Sequence, residues 1–131
     1  MRMHRLTVSA FGPFPDAVTI DFDEVCAAGL FLIHGATGSG KTSLLDALCS
    51  ALFANAHGAR SKPSLASHHA TEGTKPSVTL EFTAAGRRFQ VERSPEYLRP
   101  KKRGTGLLRM QATVTLEEQR SGRWEILATR H

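Results

Sequence analysis

The chain has 131 residues, a formal net charge of +5, an apolar fraction of 40% and two cysteines. At this length one domain is expected, since domains commonly contain about 100–200 residues, and the composition excludes disordered, collagen-like and disulfide-scaffold classes. The longest apolar run, residues 30–33, is far shorter than the ~20 residues that span a bilayer, and the N-terminus lacks the apolar stretch of a secretory signal, so the sequence predicts a cytoplasmic protein without a membrane segment.

Alternating apolar and polar residues predict two strands at the start of the chain. One covers residues 5–10 and the other residues 18–23, with turn-forming residues at 11–16 between them. Because this connection is short, we expect an antiparallel pair. Residues 29–34 read GLFLIH, and their four consecutive apolar residues predict a central strand that is covered on both faces, as in a parallel sheet.

A helix of about three turns is predicted from residue 41, ending before His57. Its apolar residues recur at helical spacing on one face: Leu44, Leu45, Leu48, Ala51 and Leu52. Residues 58–76 have no periodicity and are rich in Gly, Pro, Ser and Lys. They are predicted to form a mobile loop, because structureless segments longer than ~12–15 residues in compact domains are usually functional or mobile.

The second half of the chain predicts further strands. Alternation recurs at residues 78–82, 89–91 and 112–116, and a short fourth segment covers residues 124–127. Ala85-Gly86 has the composition of a hairpin turn between the first two. This part of the chain is therefore expected to be mainly antiparallel sheet.

Residues 35–42, GATGSGKT, match the pattern G-x-x-x-x-G-K-[ST] between a predicted strand and a predicted helix. Such a loop turns its backbone N–H groups toward phosphate oxygens at the positive end of the helix dipole. The candidate nucleotide contacts are Gly35, Ala36, Thr37, Gly38, Ser39, Gly40, Lys41 and Thr42. Lys41 is the candidate catalytic cation at the β- and γ-phosphates, and the Thr42 hydroxyl is the candidate Mg²⁺ ligand. A chance glycine-rich turn is the alternative, and the matching strand and helix argue against it.

ATP hydrolysis also requires an acidic residue after a buried parallel strand, to hold Mg²⁺ and position water. The nearest candidates are Glu81 and the pair Glu117-Glu118. Both follow alternating segments, which predict half-exposed antiparallel strands, so we reject both. The sequence therefore predicts ATP binding without the groups for hydrolysis.

A basic stretch at residues 99–109 is the second candidate site. The candidate DNA contacts are Arg99, Lys101, Lys102, Arg103 and Arg109. Five cations in eleven residues suit sequence-independent, salt-sensitive binding to DNA phosphates. A solvated hairpin loop that keeps a sheet edge soluble explains them equally well.

These residues together resemble the N-terminal ATPase segment of the SbcC family, in the SMC-like branch of ABC-type ATPases. The resemblance covers residues 1–131 and rests on LTVSAFGPF, GLFLIHGATGSGKTSLLDALCSALF and FQVERSPEYLRPKKRGTG. It implies an α/β P-loop NTPase fold, the N-terminal lobe of an ABC-type head, with antiparallel strands flanking a P-loop strand and one main helix. It also implies a chain that stops before the Q-loop, the coiled coil and the C-terminal lobe.

The same resemblance implies ATP and Mg²⁺ as cofactors and the following partners: the C-terminal lobe, an SbcD-type nuclease subunit, a second head and double-stranded DNA. It implies that ATP-driven head closure controls the nuclease in DNA repair and recombination. By position, Ser43 would add a hydroxyl at the α-phosphate. Some relatives have Asn-Phe-Arg-Ser after the first strand, with the arginine near the nucleotide, where this chain has Ala10-Phe11-Gly12-Pro13. That arginine contact is not carried over.

Two other functions remain open. A small P-loop kinase usually opens with its P-loop strand, whereas two antiparallel strands precede the loop here. A non-catalytic DNA-binding module would rest on residues 99–109 alone. As an ATPase lobe, the chain by itself is expected to bind Mg-ATP weakly or not at all and to hydrolyse none, because the residues for hydrolysis would come from other segments.

Overall fold

The structure, a computed structural model, describes residues 1–53 and 65–130. Its elements in chain order are β1 (Arg2–Ser9), β2 (Val18–Asp21), α1 (Phe22–Val25), α2 (Lys41–Phe53), β3 (Ser77–Ala84), β4 (Arg87–Ser94), β5 (Tyr97–Pro100), β6 (Leu107–Met110), β7 (Thr113–Arg120) and β8 (Arg123–Arg130). No helix in these ranges is long and apolar enough to cross a membrane.

Six strands form one sheet in the order β2-β1-β3-β4-β7-β8, and every neighbouring pair is antiparallel. The antiparallel β1–β2 pair and the strands around residues 78–82, 89–91, 112–116 and 124–127 are thereby confirmed. Ala85 and Gly86 both have positive φ, at 49° and 74°, as a two-residue turn matched to the twist of a hairpin requires. The predicted turn therefore joins β3 to β4.

One face of the sheet carries the hydrophobic core, and α2 covers it. The buried strand residues come from β1, β3 and β4: Leu6, Val8, Val78, Leu80 and Val91. Alternation places them on one side because side chains on a strand point to opposite faces in turn. The opposite side carries polar residues such as Thr7 and Thr19, whose hydroxyls hydrogen-bond across β1 and β2 at 3.0 Å.

The predicted apolar face of α2 meets the core at four of its five residues. Ala51 is buried, and Leu44, Leu48 and Leu52 pack partly buried against the core. Leu45 was wrongly assigned to this face, since it is 54% exposed. The residues of the helix that are fully buried have small or polar side chains: Ser43, Asp46, Ala47, Ser50 and Ala51. The helix is described to Phe53, and the rest of the predicted helix lies outside the described residues.

The predicted central strand at residues 29–34 does not form among the described residues. Leu30 and Leu32 are 90% and 81% exposed, and Phe31 and Ile33 are also exposed. A strand is defined by hydrogen bonds to a neighbour, and no described strand pairs with this segment. The parallel sheet inferred from its apolar run is therefore not found in the part of the chain that the structure describes.

Helix α1 and the strands β5 and β6 were not predicted from sequence. The Asp21 carboxylate accepts hydrogen bonds from the backbone N–H groups of Asp23 and Glu24, at 3.0 and 3.2 Å. Asp21 thereby caps α1, and β2 ends at this residue.

The basic stretch forms a separate two-stranded hairpin, β5–β6. Of the predicted loop, residues 66–76 contain no helix or strand beyond a bridge between Ala66 and Phe11, and residues 58–64 lie outside the described residues.

Candidate functional site

The glycine-rich loop, residues 35–40, leads directly into α2, as predicted. Gly38 and Gly40 have φ of 85° and 94°, a left-handed conformation that disfavours residues with a β-carbon. The Ser39 N–H donates to the Ala36 carbonyl at 3.2 Å, which closes a turn within the loop. The Leu44 N–H donates to the Gly40 carbonyl at 3.0 Å, so helical hydrogen bonding begins at the last residue of the loop.

Lys41 folds back over this loop. Its Nζ donates to the carbonyl oxygens of Gly35 and Ala36, at 2.8 and 2.7 Å, and lies 3.5 Å from Ser39 Oγ. The ammonium group is therefore held over the loop by the carbonyl oxygens of its first two residues. A compact cation on a flexible stem can exchange such acceptors for phosphate oxygens without moving the backbone.

A pocket of about 530 Å³ opens beside the loop. Its lining residues are Gly12, Pro13, Thr37, Gly38, Gly40, Lys41, Thr42, Ser43, Ala66, His68 and His69. Its size is within the roughly 300–1,000 Å³ typical of small-molecule sites. The exposed Thr42 side chain and the 5%-exposed Ser43 both lie at the start of α2, so the structure brings the predicted hydroxyl residues and the predicted cation to one pocket.

The second wall of this pocket was not found by sequence reasoning. Gly12 and Pro13 follow β1, and His68 and His69 lie in the segment before β3. Backbone hydrogen bonds join the two segments, from the Gly12 N–H to the Leu65 carbonyl and from the Ser67 N–H to the Ala10 carbonyl, both at 2.8 Å. More than fifty residues separate them in sequence, and no local pattern predicts such a pairing.

Sequence reasoning also passed over Asp46, a carboxylate one helical turn after Thr42. It is 3% exposed on the face of α2 that meets the sheet. The available signal was its position as the lone charged residue between Thr42 and Phe53, since a charge among apolar helix residues is rarely buried without a specific interaction.

The rejected acidic candidates lie in antiparallel strands, as their periodicity predicted. Glu81 on β3 pairs with Arg5 and Arg88, at 3.7 and 3.0 Å. Glu118 on β7 is held by Arg87 and Arg120. Hydrogen bonding to Arg87, followed by that to Arg120, outweighs burial and lowers the pKa of Glu118 from 4.5 to about 2. Both carboxylates thus take part in ion pairs within the sheet. A shallow depression of about 800 Å³ on the polar side of the sheet, which Glu81 helps to line, lies away from the glycine-rich loop.

The basic candidates are distributed over the β5–β6 hairpin. Arg99 lies on β5 and its Nε contacts the sulfur of Met110 at 3.1 Å. Arg109 lies on β6 and pairs with Glu96 at 2.8 Å. Lys101, Lys102 and Arg103 form the exposed tip and make no ion pair within the described ranges. The tip therefore presents three cations to solvent.

The sequence of the chain is similar to that of known proteins. Residues 5–125 match the family model described as an AAA domain. Curated relatives named as the SbcC subunit of the SbcCD nuclease include those of Vibrio cholerae, 40% identical over 131 residues, Lactococcus lactis, 37% over 111, and Treponema pallidum, 32% over 133. These alignments cover 99%, 85% and 100% of this chain but 13%, 10% and 12% of the relatives. The chain thus spans about a tenth of the length of the curated relatives that it matches.

Proposed function

This chain belongs to the AAA domain family, and on that premise we propose that it is the ATP-binding lobe of the ATPase subunit of a nuclease complex that acts on double-stranded DNA. The observation that carries the proposal is Lys41, whose ammonium lies over a glycine-rich loop at the start of α2 and lines a pocket of about 530 Å³. Similarity to proteins named as the SbcC subunit of the SbcCD nuclease supports the nuclease context.

The residues of the pocket fit a nucleoside triphosphate with Mg²⁺. Lys41 already binds two carbonyl oxygens, and phosphate oxygens are stronger acceptors for an ammonium group. Backbone N–H groups of the loop and of the first helical turn have no helical partner and suit the remaining phosphate oxygens. The Thr42 hydroxyl would hold Mg²⁺ and Ser43 would meet the α-phosphate. A Mg²⁺ ion held there would neutralise negative charge on the phosphate oxygens.

The exposed segment at residues 30–33 supports a role within a larger head. Its four apolar side chains are 38–90% exposed, and such a surface is normally covered in a soluble assembly. We propose that strands of a C-terminal lobe pair with this segment and complete a parallel sheet. A second copy of the head would then close on the bound ATP and control a nuclease subunit of the SbcD type. We place this complex in the cytoplasm, in double-strand break repair and recombination.

Substitution of Lys41 tests the proposed nucleotide site. We expect this chain to bind Mg-ATP weakly, with chemical-shift changes at the loop amides at millimolar concentrations. Lys41→Ala should abolish these changes, because the phosphates lose their cation. Lys75→Ala removes a lysine from an exposed pair with Glu92 and is the matched control that retains binding. Equal binding by wild type and Lys41→Ala would contradict the proposal. We expect no phosphate release by this chain alone, and turnover that Lys41→Ala abolishes would contradict that expectation.

The exposed hairpin tip favours a second activity, binding to DNA phosphates. Substituting Lys101, Lys102 and Arg103 by Gln should weaken binding to duplex DNA. The slope of the logarithm of the binding constant against the logarithm of the salt concentration should become shallower by about one for each phosphate contact removed. Arg123→Gln, at the exposed start of β8, is the control and should change neither. DNA binding that persists without nucleotide and in Lys41→Ala, but vanishes in the triple variant, would favour a stand-alone DNA-binding module.

A further inference from the structure

Residues 11–14, here called the FGPF turn, form a closed turn beside the glycine-rich loop. Phe11 and Phe14 each donate a backbone N–H to the other's carbonyl oxygen, both at 3.0 Å. The Phe11 side chain is 1% exposed and belongs to the core. The turn is thus fixed to the sheet on one side and, through the Gly12–Leu65 hydrogen bond, to the segment before β3 on the other.

The far side of the FGPF turn packs on the glycine-rich loop. A β-carbon built on Gly40 would lie 2.6 Å from Cζ of Phe14 and 3.0 Å from Cγ of Pro13. One built on Gly12 would lie 3.2 Å from Cβ and Oγ of Ser43. The Phe14 and Pro13 rings therefore occupy the space that a β-carbon on Gly40 would need, and Gly12 lies close to the Ser43 side chain at the start of α2.

Gly40 connects the glycine-rich loop to α2. Its carbonyl accepts the hydrogen bond that begins α2, and Lys41 follows it directly. Its φ of 94° is one of many that glycine can adopt, so a packing contact with a neighbouring side chain restricts its conformation beyond what the hydrogen bonds of the loop do. Phe14 supplies that contact, and the pocket is lined by Pro13 but not by Phe14 within the described residues. A change at Phe14 thus alters the support of the loop without removing a lining residue.

We propose that Phe14 is a positioning residue that holds Gly40, and through it Lys41 and Thr42, in the conformation that binds the triphosphate. The inference rests on the proposed nucleotide site and extends it to a residue outside the pocket. Because groups that bind phosphate must be held closely in place, a loop released from the ring must be ordered anew on every binding event. Affinity for Mg-ATP falls accordingly, while the sheet stays folded.

The test compares three substitutions by titration with Mg-ATP, followed at the Gly40 and Lys41 amides. Phe14→Ala should weaken binding about tenfold, since loss of preorganisation reduces affinity without removing a ligand contact. Phe14→Met, long enough to refill the space above Gly40, should restore most of it. Phe82→Ala removes an aromatic side chain that packs against the same core, pairs with Phe89 and does not line the pocket. It should lower stability but leave affinity unchanged.

Amide hydrogen exchange without nucleotide gives an independent readout. Exchange at the Leu44 amide, which donates to the Gly40 carbonyl, should rise in Phe14→Ala and remain as in wild type in Phe82→Ala, whereas a merely structural role would raise exchange throughout the sheet in both. If Phe14→Ala does not fold, Phe14→Val, which also ends short of Gly40, takes its place with the same expectation. Unchanged affinity in the truncated variant, or equal loss in Phe82→Ala, overturns the inference. Identical titrations of wild type and Lys41→Ala overturn the proposed function itself, and the inference with it.

Discussion

At the scale of single residues, Glu118 shows how arginines hold acidic groups in the sheet. Arg87 Nη2 donates to one carboxylate oxygen at 2.8 Å, and Arg120 Nε donates to the same oxygen at 2.7 Å. The Arg87 guanidinium also lies 5.0 Å from the centre of the Phe89 ring. The Glu118 side chain is only 6% exposed, so its charge depends on these partners. They lower its pKa to about 2.

This lowered pKa makes stability depend on pH. A carboxyl group whose folded-state pKa is below its unfolded value stabilises the fold above the unfolded value and loses that contribution as pH falls. For Glu118, this contribution is lost between pH 4.5 and about pH 2, the window between its unfolded and folded pKa values. In Glu118→Gln, we expect the free energy of unfolding to fall less steeply with decreasing pH across that window. Urea unfolding at several pH values measures this slope. Glu92→Gln, in an exposed pair with Lys75, is the control and should leave the wild-type slope. An unchanged slope in Glu118→Gln would show that the ion pairs do not persist in solution.

At the scale of elements, Arg93 joins α2 to the sheet. Its Nε, on β4, donates to the carbonyl oxygen of Ala51 at 2.7 Å. Ala51 lies in the last turn of α2 that the structure describes. The contact therefore ties this turn of the helix, at the end away from the glycine-rich loop, to a strand of the sheet.

Removing this contact should loosen the helix. We expect Arg93→Met, which keeps the length of the side chain, to lower the free energy of unfolding by about 1 kcal/mol, the usual scale for one hydrogen bond. Arg123→Met, at an exposed position, should change it far less. Thermal unfolding of both variants by circular dichroism measures the difference. A fall of the same size in the two would indicate a general effect of lost charge and not the loss of this hydrogen bond.

At the scale of the whole molecule, one sheet face is covered and one segment is not. The core lies between the sheet and α2, whereas Leu30 and Leu32 are almost fully exposed next to the glycine-rich loop. Scattered exposed leucines are ordinary on protein surfaces. A run of four apolar residues is different, because it can pair with another chain both by side-chain burial and by unpaired backbone groups.

We therefore expect the isolated chain to self-associate through this segment. The double variant Leu30→Ser and Leu32→Ser should shift sedimentation velocity profiles toward the monomer without lowering the melting temperature, because neither side chain contributes to the core. Leu45→Ser, at an isolated exposed position on α2, is the control and should leave association unchanged. Association that continues in the double variant would place the contact elsewhere on the molecule.

The strands of the sheet and the glycine-rich loop could be predicted from the sequence because both are local signals. Alternation marks one buried face of each strand, and the turn at Ala85-Gly86 fixes the register of β3 on β4. The loop motif, likewise, lies in eight consecutive residues that lead into α2. The antiparallel pairing and the position of Lys41 at the head of the helix follow from these patterns without knowledge of distant contacts.

Contacts between distant segments decided the rest. Whether residues 30–33 form a strand depends on a neighbour to pair with, and their apolar composition cannot supply one. The leucine pattern of α2 marked the side of the helix that meets the core, but only the packed structure shows that Ala47 is buried there and that Leu45 is exposed. The second wall of the pocket and the packing of Phe14 on Gly40 bring together segments far apart in the chain. Local patterns encode which side of an element is apolar, whereas partners and close approach are properties of the folded chain.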